Sequence, residues 1–527
     1  MRPRRTSTLA ATTAALALVA TTVAIATPTA TTAAAPAARP TSAPSDRQVL
    51  EAYAADTWKS FEAMTVPATG LPADNIAGDL DPATRSGFTS PTNIGAYLWS
   101  TAAARDTGLI GRREARVRMR RTVDTIAGLE RHDDSGMFYN WYDPATGAKL
   151  RTFPTSGDTI KPFLSSVDNG WLATGLLLAA RAEPSLARKA DRIREGMDFG
   201  CFYNPLENAP AGQIRGGFWD EDPLESAPVK GNYCGGADVW FTGHHYGAFN
   251  TEPRIASYLG IAAGQIPARH YFGTYRTFPN ENCDWSWTET KAVGSWAEHR
   301  GVRVFEGAVP YRGMQIVPTW GGSMFEALMV PLFVPEETWG PRSWGVNHPL
   351  YVRGQIEHGM DEAGYGYWGF SPSNNPAGGY REYGVDQLGM DGPGYSTDQE
   401  RTTVDQPYGD CPGREGSPAP TSYGDGVVTP HASFLALRYA EDAALENLAN
   451  IRADFDSYGP GGFYDAVAVG SGTVSKRYLS LDQGMVMAAL GNALADDDMR
   501  SYVAPGALER SLRPLMREEV FASGPTD

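Results

Sequence analysis

From Ser45 onward the apolar residues return at helical spacing. Leu50, Tyr53, Ala54, Thr57, Trp58 and Phe61 fall at i, i+3, i+4 and i+7 behind a Ser45-Asp46 start, which predicts an amphipathic helix. A second start lies at Ser90-Pro91, a capping residue followed by proline in the first turn, and Ile94, Tyr97, Leu98 and Thr101 continue its stripe. The same pattern predicts helices over 112–129, 165–182, 185–198, 248–262, 322–330, 350–363, 430–440, 442–453, 480–494 and 505–519. Between them lie long stretches rich in Gly, Pro and Trp, such as Gly216-Gly217-Phe218-Trp219 and Gly364-Tyr365-Gly366-Tyr367-Trp368-Gly369. Ordered loops of that length usually carry function. The chain therefore reads as all-α, with helices building the core and loops building the site.

No linker-like composition interrupts the chain after residue 45, so 46–527 is expected to form a single catalytic domain. The most linker-like piece, 391–426, is rich in Asp, Pro and Gly and reads as an insertion near a site. Ahead of the domain, Arg2, Arg4 and Arg5 precede an apolar stretch over 9–26, and Ala33-Ala34-Ala35 offers an A-x-A cleavage site. These features predict a signal peptide over 1–35, a Pro/Ala-rich linker over 36–45 and a secreted, extracellular protein. A membrane anchor is the alternative, but the stretch is built of Ala and Thr, and no later run reaches 18 apolar residues. In an exported chain Cys201, Cys234, Cys283 and Cys411 predict disulfides, with three pairings open.

Composition narrows the partner. With 61 acidic and 45 basic side chains the net charge is −16, and 42% hydrophobic residues make an ordinary folded chain. This excludes a disordered, collagen-like or nucleic-acid-coating protein. Such a field repels polyphosphates, no basic patch is expected to override it, and a neutral substrate fits better. An acidic helical chain with aromatic loops points to carbohydrate, because sugar faces stack on Trp and Tyr while Asn, Asp and Arg bond the hydroxyls. Trp219, Trp240, Trp285, Trp287, Trp320 and Trp368 lie in Gly-rich loops and together predict a cleft.

Glycoside cleavage needs two carboxyl groups, one protonated and one ionised. Four acids stand in apolar or aromatic contexts. They are Asp168 in Ser165-Ser166-Val167-Asp168-Asn169-Gly170-Trp171, Glu252 in Gly247-Ala248-Phe249-Asn250-Thr251-Glu252, Glu326 in Trp320-Gly321-Gly322-Ser323-Met324-Phe325-Glu326, and Asp482 in Tyr478-Leu479-Ser480-Leu481-Asp482-Gln483. For Asp168, Glu252 and Asp482 a helix-capping or helix-dipole role is the plainer alternative, whereas an acid in the apolar run around Glu326 must be paired, hydrogen-bonded or functional. No ligand spacing demands a metal, and no cofactor is expected. Two rival classes are a polysaccharide lyase using Tyr or His and a non-catalytic glycan-binding protein. His244, His245 and His431 are expected to be structural.

These runs, with Trp368-Gly369-Phe370-Ser371-Pro372-Ser373-Asn374, Gly379-Tyr380-Arg381-Glu382-Tyr383-Gly384 and Asp425-Gly426-Val427-Val428-Thr429-Pro430-His431-Ala432, resemble the glycoamylase-like family of bacterial glycoside hydrolases. That is glycoside hydrolase family 144 and its relatives, which include endo-β-1,2-glucanases and the transglycosylating domain of cyclic β-1,2-glucan synthases. The resemblance spans Ser90-Pro91-Thr92-Asn93-Ile94-Gly95 to Asp482-Gln483-Gly484. It implies a single (α/α)6 barrel with a cleft at one mouth and inverting hydrolysis of a β-1,2-glucan, Glu252 as general acid and Asp482 as base. For the transglycosylating relatives, Glu252 and Glu326 are the matching pair. Asp168 becomes a supporting or sugar-binding acid, and Arg312, Trp320, Trp368, Arg381, Glu382, Tyr383 and Asn250 are candidate subsite residues. The Phe241-Thr242-Gly243-His244-His245 run and the 391–426 insertion depart from the glucanase pattern and leave another glycan, such as a cell-wall arabinan, open. A monomer acting on a poly- or oligosaccharide is expected.

Overall fold

Local capping chemistry starts the first helices where the pattern places them. Ser45 and Gln48 bond each other's backbone amides, a capping box that opens α1 (Asp46–Met64). Ser90 caps the Asn93 amide at 3.2 Å ahead of α2 (Pro91–Asp106), with Pro91 in the first turn. The computed structural model describes residues 44–223, 228–232, 234–279, 290–390 and 423–526. The predicted signal peptide, Trp285, Trp287, Cys283, Cys411 and residues 391–422 of the insertion lie outside the described residues.

The further long elements are α3 (Arg112–Ile126), α4 (Ser166–Ala182), α5 (Ala187–Glu195), α6 (Arg254–Ala262), α7 (Met324–Leu328), α8 (Trp344–Glu357), α9 (Pro430–Ala436), α10 (Glu441–Asp454), α11 (Ser480–Leu494) and α12 (Ala507–Glu518). Six of them follow one another around an inner layer. Helix α2 packs on both α4 and α11, α4 on α6, and α9 on both α7 and α11. Hydrogen bonds close the remaining α6 to α7 step, Arg254 donating to the carbonyls of Glu326 and Ala327 at 2.9 and 2.7 Å. Each inner helix is backed by an outer one: α3 behind α2, α5 behind α4, α12 behind α6, α8 behind α7, α10 behind α9 and α1 behind α11. The burial follows this arrangement. Nearly every residue of α2, α4 and α11 is buried, because each touches helices on both sides and behind it, whereas α3 and α5 bury only one stripe.

The all-α expectation holds in part, for the helical layers that build the core. The described residues include two four-stranded antiparallel sheets and several two- or three-stranded ones. The longest pairing, Val293–His299 with Val302–Tyr311, turns through Arg300-Gly301 at φ +52° and +80°, the left-handed pair that a tight hairpin requires. Helix α6 starts six residues later than predicted, because Pro253 disfavours a helical conformation at Glu252 just before it. Helix α8 starts six residues earlier than predicted and runs through Pro349.

Cys201 and Cys234 form a disulfide. Trp219 and Trp240 lie opposite each other across two strands, Trp219 against Phe163 and Trp240 beneath Lys230, so sheet packing accounts for both. The expectation of no basic patch also fails locally: α3 sets six arginines against Glu114 and Asp124 on the outer layer. Among the described residues no helix is long and apolar enough to cross a membrane.

Candidate active site

The inner helices begin at one common end, and their first turns deliver the acids. Asp168 sits in the first turn of α4, its amide capped by Ser165 and its Oδ1 accepting the Thr92 hydroxyl from the first turn of α2 at 2.6 Å. Asp74 accepts from the Asn93 amide group of α2 at 2.8 Å. Glu252 precedes α6, Glu326 is in the first turn of α7 with its amide capped by Ser323, and Asp482 is in the first turn of α11. The positive ends of the helix dipoles thus meet at a mouth crowded with carboxyl groups.

Glu252 and Glu326 are neighbours. Glu326 Oε2 accepts both the Glu252 amide, at 2.8 Å, and the Thr251 hydroxyl. Glu252 Oε2 accepts the indole N–H of Trp171 at 2.5 Å, and the residue is only 8% exposed. Both line a cavity of about 490 Å³ together with Glu382, Trp320, Tyr246 and Tyr380. Burial and then the nearby Glu326 charge hold the Glu252 carboxyl well above the usual carboxylate range, against the weaker pull of the Trp171 N–H. Burial likewise pushes Glu326 up to about 7, although the Thr251 and Glu252 donors oppose it. A carboxyl kept protonated at neutral pH beside an aromatic-lined cavity can deliver a proton to a glycosidic oxygen.

These raised values set a pH dependence. A group whose folded pKa lies above its unfolded one adds stability that is complete below the unfolded value and is lost as pH rises through the folded one. The melting temperature is therefore expected to fall between about pH 4.5 and 7 through Glu326, and Glu326→Gln should flatten that fall in thermal unfolding across pH. An unchanged slope in the variant would mean that Glu326 titrates as an ordinary carboxylate.

Asp482 lies in a second, much smaller space of about 10 Å³, lined also by Asp465, His431, Tyr464 and Gln483. Burial, then the Asp465 charge, push its carboxyl far up. His431 bonds the Thr429 and Ser371 hydroxyls at 2.7 and 2.9 Å, and burial lowers its pKa to about 3, so it stands neutral 3.7 Å from Asp482. Tyr380, on the hairpin formed by Ser373–Asn374 and Tyr380–Arg381, lines the larger cavity and also feels the charges of Asp482 and Asp465.

The other nominated residues divide. Trp320 and Glu382 line the larger cavity, and Arg381 lies on the hairpin beside it. Asn250 is buried and donates to the Val317 carbonyl, and Tyr383 is buried against Val427, Ala466 and Ala468. Trp368 is packed in the core, its backbone bonded to Asn447. Arg312 sits at a hairpin turn paired with Glu357 of α8, and neither it nor Trp368 lines the cavity. Sequence reasoning passed over Asp74, Tyr246 and Asp465. Asp465 stands in Phe463-Tyr464-Asp465-Ala466-Val467, an acid in an apolar run, which is the signal that singled out Glu326.

With this geometry in place, residues 288–499 match the glycoamylase family model, described as "Putative glucoamylase". Over those residues the chain is similar to that family. Residues 52–199 match a second model, a protein family of unknown function designated DUF3131. Glu326, Asp465 and Asp482 fall in the glycoamylase match, Asp74 and Asp168 in the other, and Glu252 between the two. The chain is 23% identical to the cyclic β-(1,2)-glucan synthase NdvB of Rhizobium meliloti (strain 1021) over 88% of its own length. It spans only 18% of that protein's length. Its fold is similar to that of the endo-β-1,2-glucanase from Chitinophaga pinensis, solved with sophorotriose and glucose, at TM-score 0.59 and 16% identity over 89% of this chain and 98% of that one. It is also similar to an endo-β-1,2-glucanase mutant from Talaromyces funiculosus solved with β-1,2-glucan, at TM-score 0.58 and 12% identity over 91% and 93%. At such identities the likeness is one of fold.

Proposed function

We propose that this glycoamylase-like chain is a glycoside hydrolase of neutral β-glucan, with β-1,2-glucan as its first substrate, and that its two helical layers form an (α/α)6 barrel. The observation that carries this reading is Glu252, a buried carboxyl held by an indole N–H at the wall of a cavity lined with acids and aromatic rings. The two endo-β-1,2-glucanases and the cyclic β-(1,2)-glucan synthase support the choice of sugar. Glu252 gives its proton to the leaving oxygen as the anomeric carbon–oxygen bond breaks. Asp482 takes the proton of the attacking water, and a 10 Å³ space beside it is about the size that one water fills. Trp320 and Tyr380 offer apolar faces to the sugar rings. Among the described residues no Lys or Arg lines the cavity to hold uronates, which disfavours a lyase. Export after removal of residues 1–35, and action as a monomer, complete the reading.

A second scheme has its own support, because Glu252 and Glu326 line one cavity and are joined by a hydrogen bond. In it the two glutamates act as a pair, as a transglycosylase or a glycosidase on another glycan would use them. Incubation of the purified protein with β-1,2-glucan, other β- and α-glucans, arabinan and arabinogalactan, followed by anomeric NMR at early times, tests both. Short β-1,2-linked products released first as the α-anomer are expected, since inversion of a β linkage gives α. Asp482→Asn should then be inactive. An inactive Glu326→Gln beside an active Asp482→Asn would select the glutamate pair, and cleavage of a different polymer would move the substrate.

A further inference from the structure

Asp465 has no part in the scheme above, yet its surroundings are unusual. Asp465 and Asp482 are 3% and 2% exposed, and their carboxyl groups meet in the small space at the mouth of the inner layer. Asp465 Oδ2 accepts the Asn374 amide at 2.6 Å. The other three oxygens, Oδ1 of Asp465 and both of Asp482, have no hydrogen-bond donor. Two buried carboxylates in contact repel strongly, and they bond each other only if one carries a proton.

Among the described residues facing the pair, the charge of Arg477 alone opposes that repulsion. His431, from α9, is neutral and bonded to two hydroxyls. Asp74, ahead of α2, adds like charge. Arg477 acts on Asp465 through its charge, but its guanidinium bonds Asn75. The Gln483 amide donates to the Phe463 carbonyl. Tyr380 is held well above the usual phenol range and stays neutral at working pH, and the Tyr464 hydroxyl donates to the Gly78 carbonyl.

We propose that Asp465 and Asp482 act as one base, a carboxyl pair that holds a single exchangeable proton between them. This rests on the reading of Asp482 as the base. With the shared proton on Asp465, Asp482 is the anion and takes a proton from water while the water oxygen bonds the anomeric carbon. The electrons of the broken carbon–oxygen bond go to the leaving oxygen, which takes the Glu252 proton. The pair then holds two protons and Glu252 none, and exchange with solvent restores both. Asp465 touches no reacting atom in this cycle. It is a positioning residue: when charged it raises Asp482 and so keeps one proton in the pair, and when it carries that proton its hydroxyl donates to Asp482 and favours the Asp482 anion over that of a buried carboxyl with no donor.

The test is the pH profile of kcat/KM on β-1,2-glucan for the wild type, Asp465→Val, Asp465→Asn and Asp482→Asn, with thermal unfolding of each. Asp482→Asn should be inactive. Asp465→Val, which cannot donate to Asp482, should move the acidic limb to higher pH by about one unit, a tenfold loss on the acid side. Asp465→Asn keeps the acceptor for Asn374 and puts an N–H near Asp482, so its limb should fall between. If Asp465→Val does not fold, the limb of Asp465→Asn decides alone. Unmoved limbs in the folded Asp465 variants, with Asp482→Asn inactive, overturn the pair and leave Asp482 as a lone base. Activity in Asp482→Asn instead removes the base reading itself.

Discussion

Glu252→Gln is expected to lower kcat on an unactivated β-glucan by roughly 100- to 10,000-fold, with KM changed little. The amide keeps the shape and can still meet the Trp171 N–H through its oxygen, but it has no acidic proton for the leaving oxygen. The defect should shrink on an aryl glycoside whose leaving group departs without protonation. Steady-state kinetics on both substrates checks this, and near-normal turnover of the polymer would take Glu252 out of the role. The size of the effect follows from the environment. Burial and Glu326 keep this carboxyl protonated where an exposed glutamate would be ionised.

The largest expected effect on stability is at Arg254. Its guanidinium bonds both Glu336 oxygens, at 2.8 and 2.9 Å, and three backbone carbonyls at the α6 to α7 step. The ion pair is buried, with Glu336 fully so. Arg254→Met should cost about 3–5 kcal/mol in urea unfolding, because it strands the Glu336 charge with, among the described residues, only His348 and Tyr258 as side-chain partners. Arg254→Met with Glu336→Gln should recover part of the loss, and a double variant no better than the single would show that the carbonyl bonds dominate. Arg254 also holds Glu336 at about 2, below its usual 4.5. A depressed folded pKa gives stability that is present above the unfolded value and is lost as pH falls through the folded one. Acid between about pH 4.5 and 2 should therefore destabilise the wild type more steeply than Arg254→Met. Turnover should fall as well, since Arg254 ties the carbonyls of Thr251 and Glu326, beside both glutamates.

The parts legible in the sequence were those written by local rules. Helix α11 falls at 480–494 as its pattern predicts, and the Ser90-Pro91 start of α2 is a local capping signature. Of the nominated acids, Glu252 and Glu326 line one cavity, Asp168 acts on Glu252 through its charge, and Asp482 lies in the second, smaller space. What escaped was non-local. The 293–311 hairpin has little contrast between its two faces, one strand being almost wholly exposed, so a search for helical stripes passed over it. Asp465 matters through Asp482, 17 residues further along, and only the fold shows that they meet. Arg312 and Trp368 have residue types suited to sugar, but one is engaged by Glu357 and the other is buried. Residue type names a capacity, and packing decides whether it is exercised.

The placement of Asp168, Glu252, Glu326 and Asp482 in or just before the first turn of an inner helix separates two jobs that evolution could alter independently. The first turns fix the proton donors and acceptors to the rigid layer, and the preceding connections and the Ser373–Arg381 hairpin supply walls such as Trp320, Tyr380 and Glu382. Exchanging those connections would change which polymer fits without moving the carboxyl groups. A library that randomises the wall residues while holding the first turns constant should thus yield altered linkage preference more often than loss of folding.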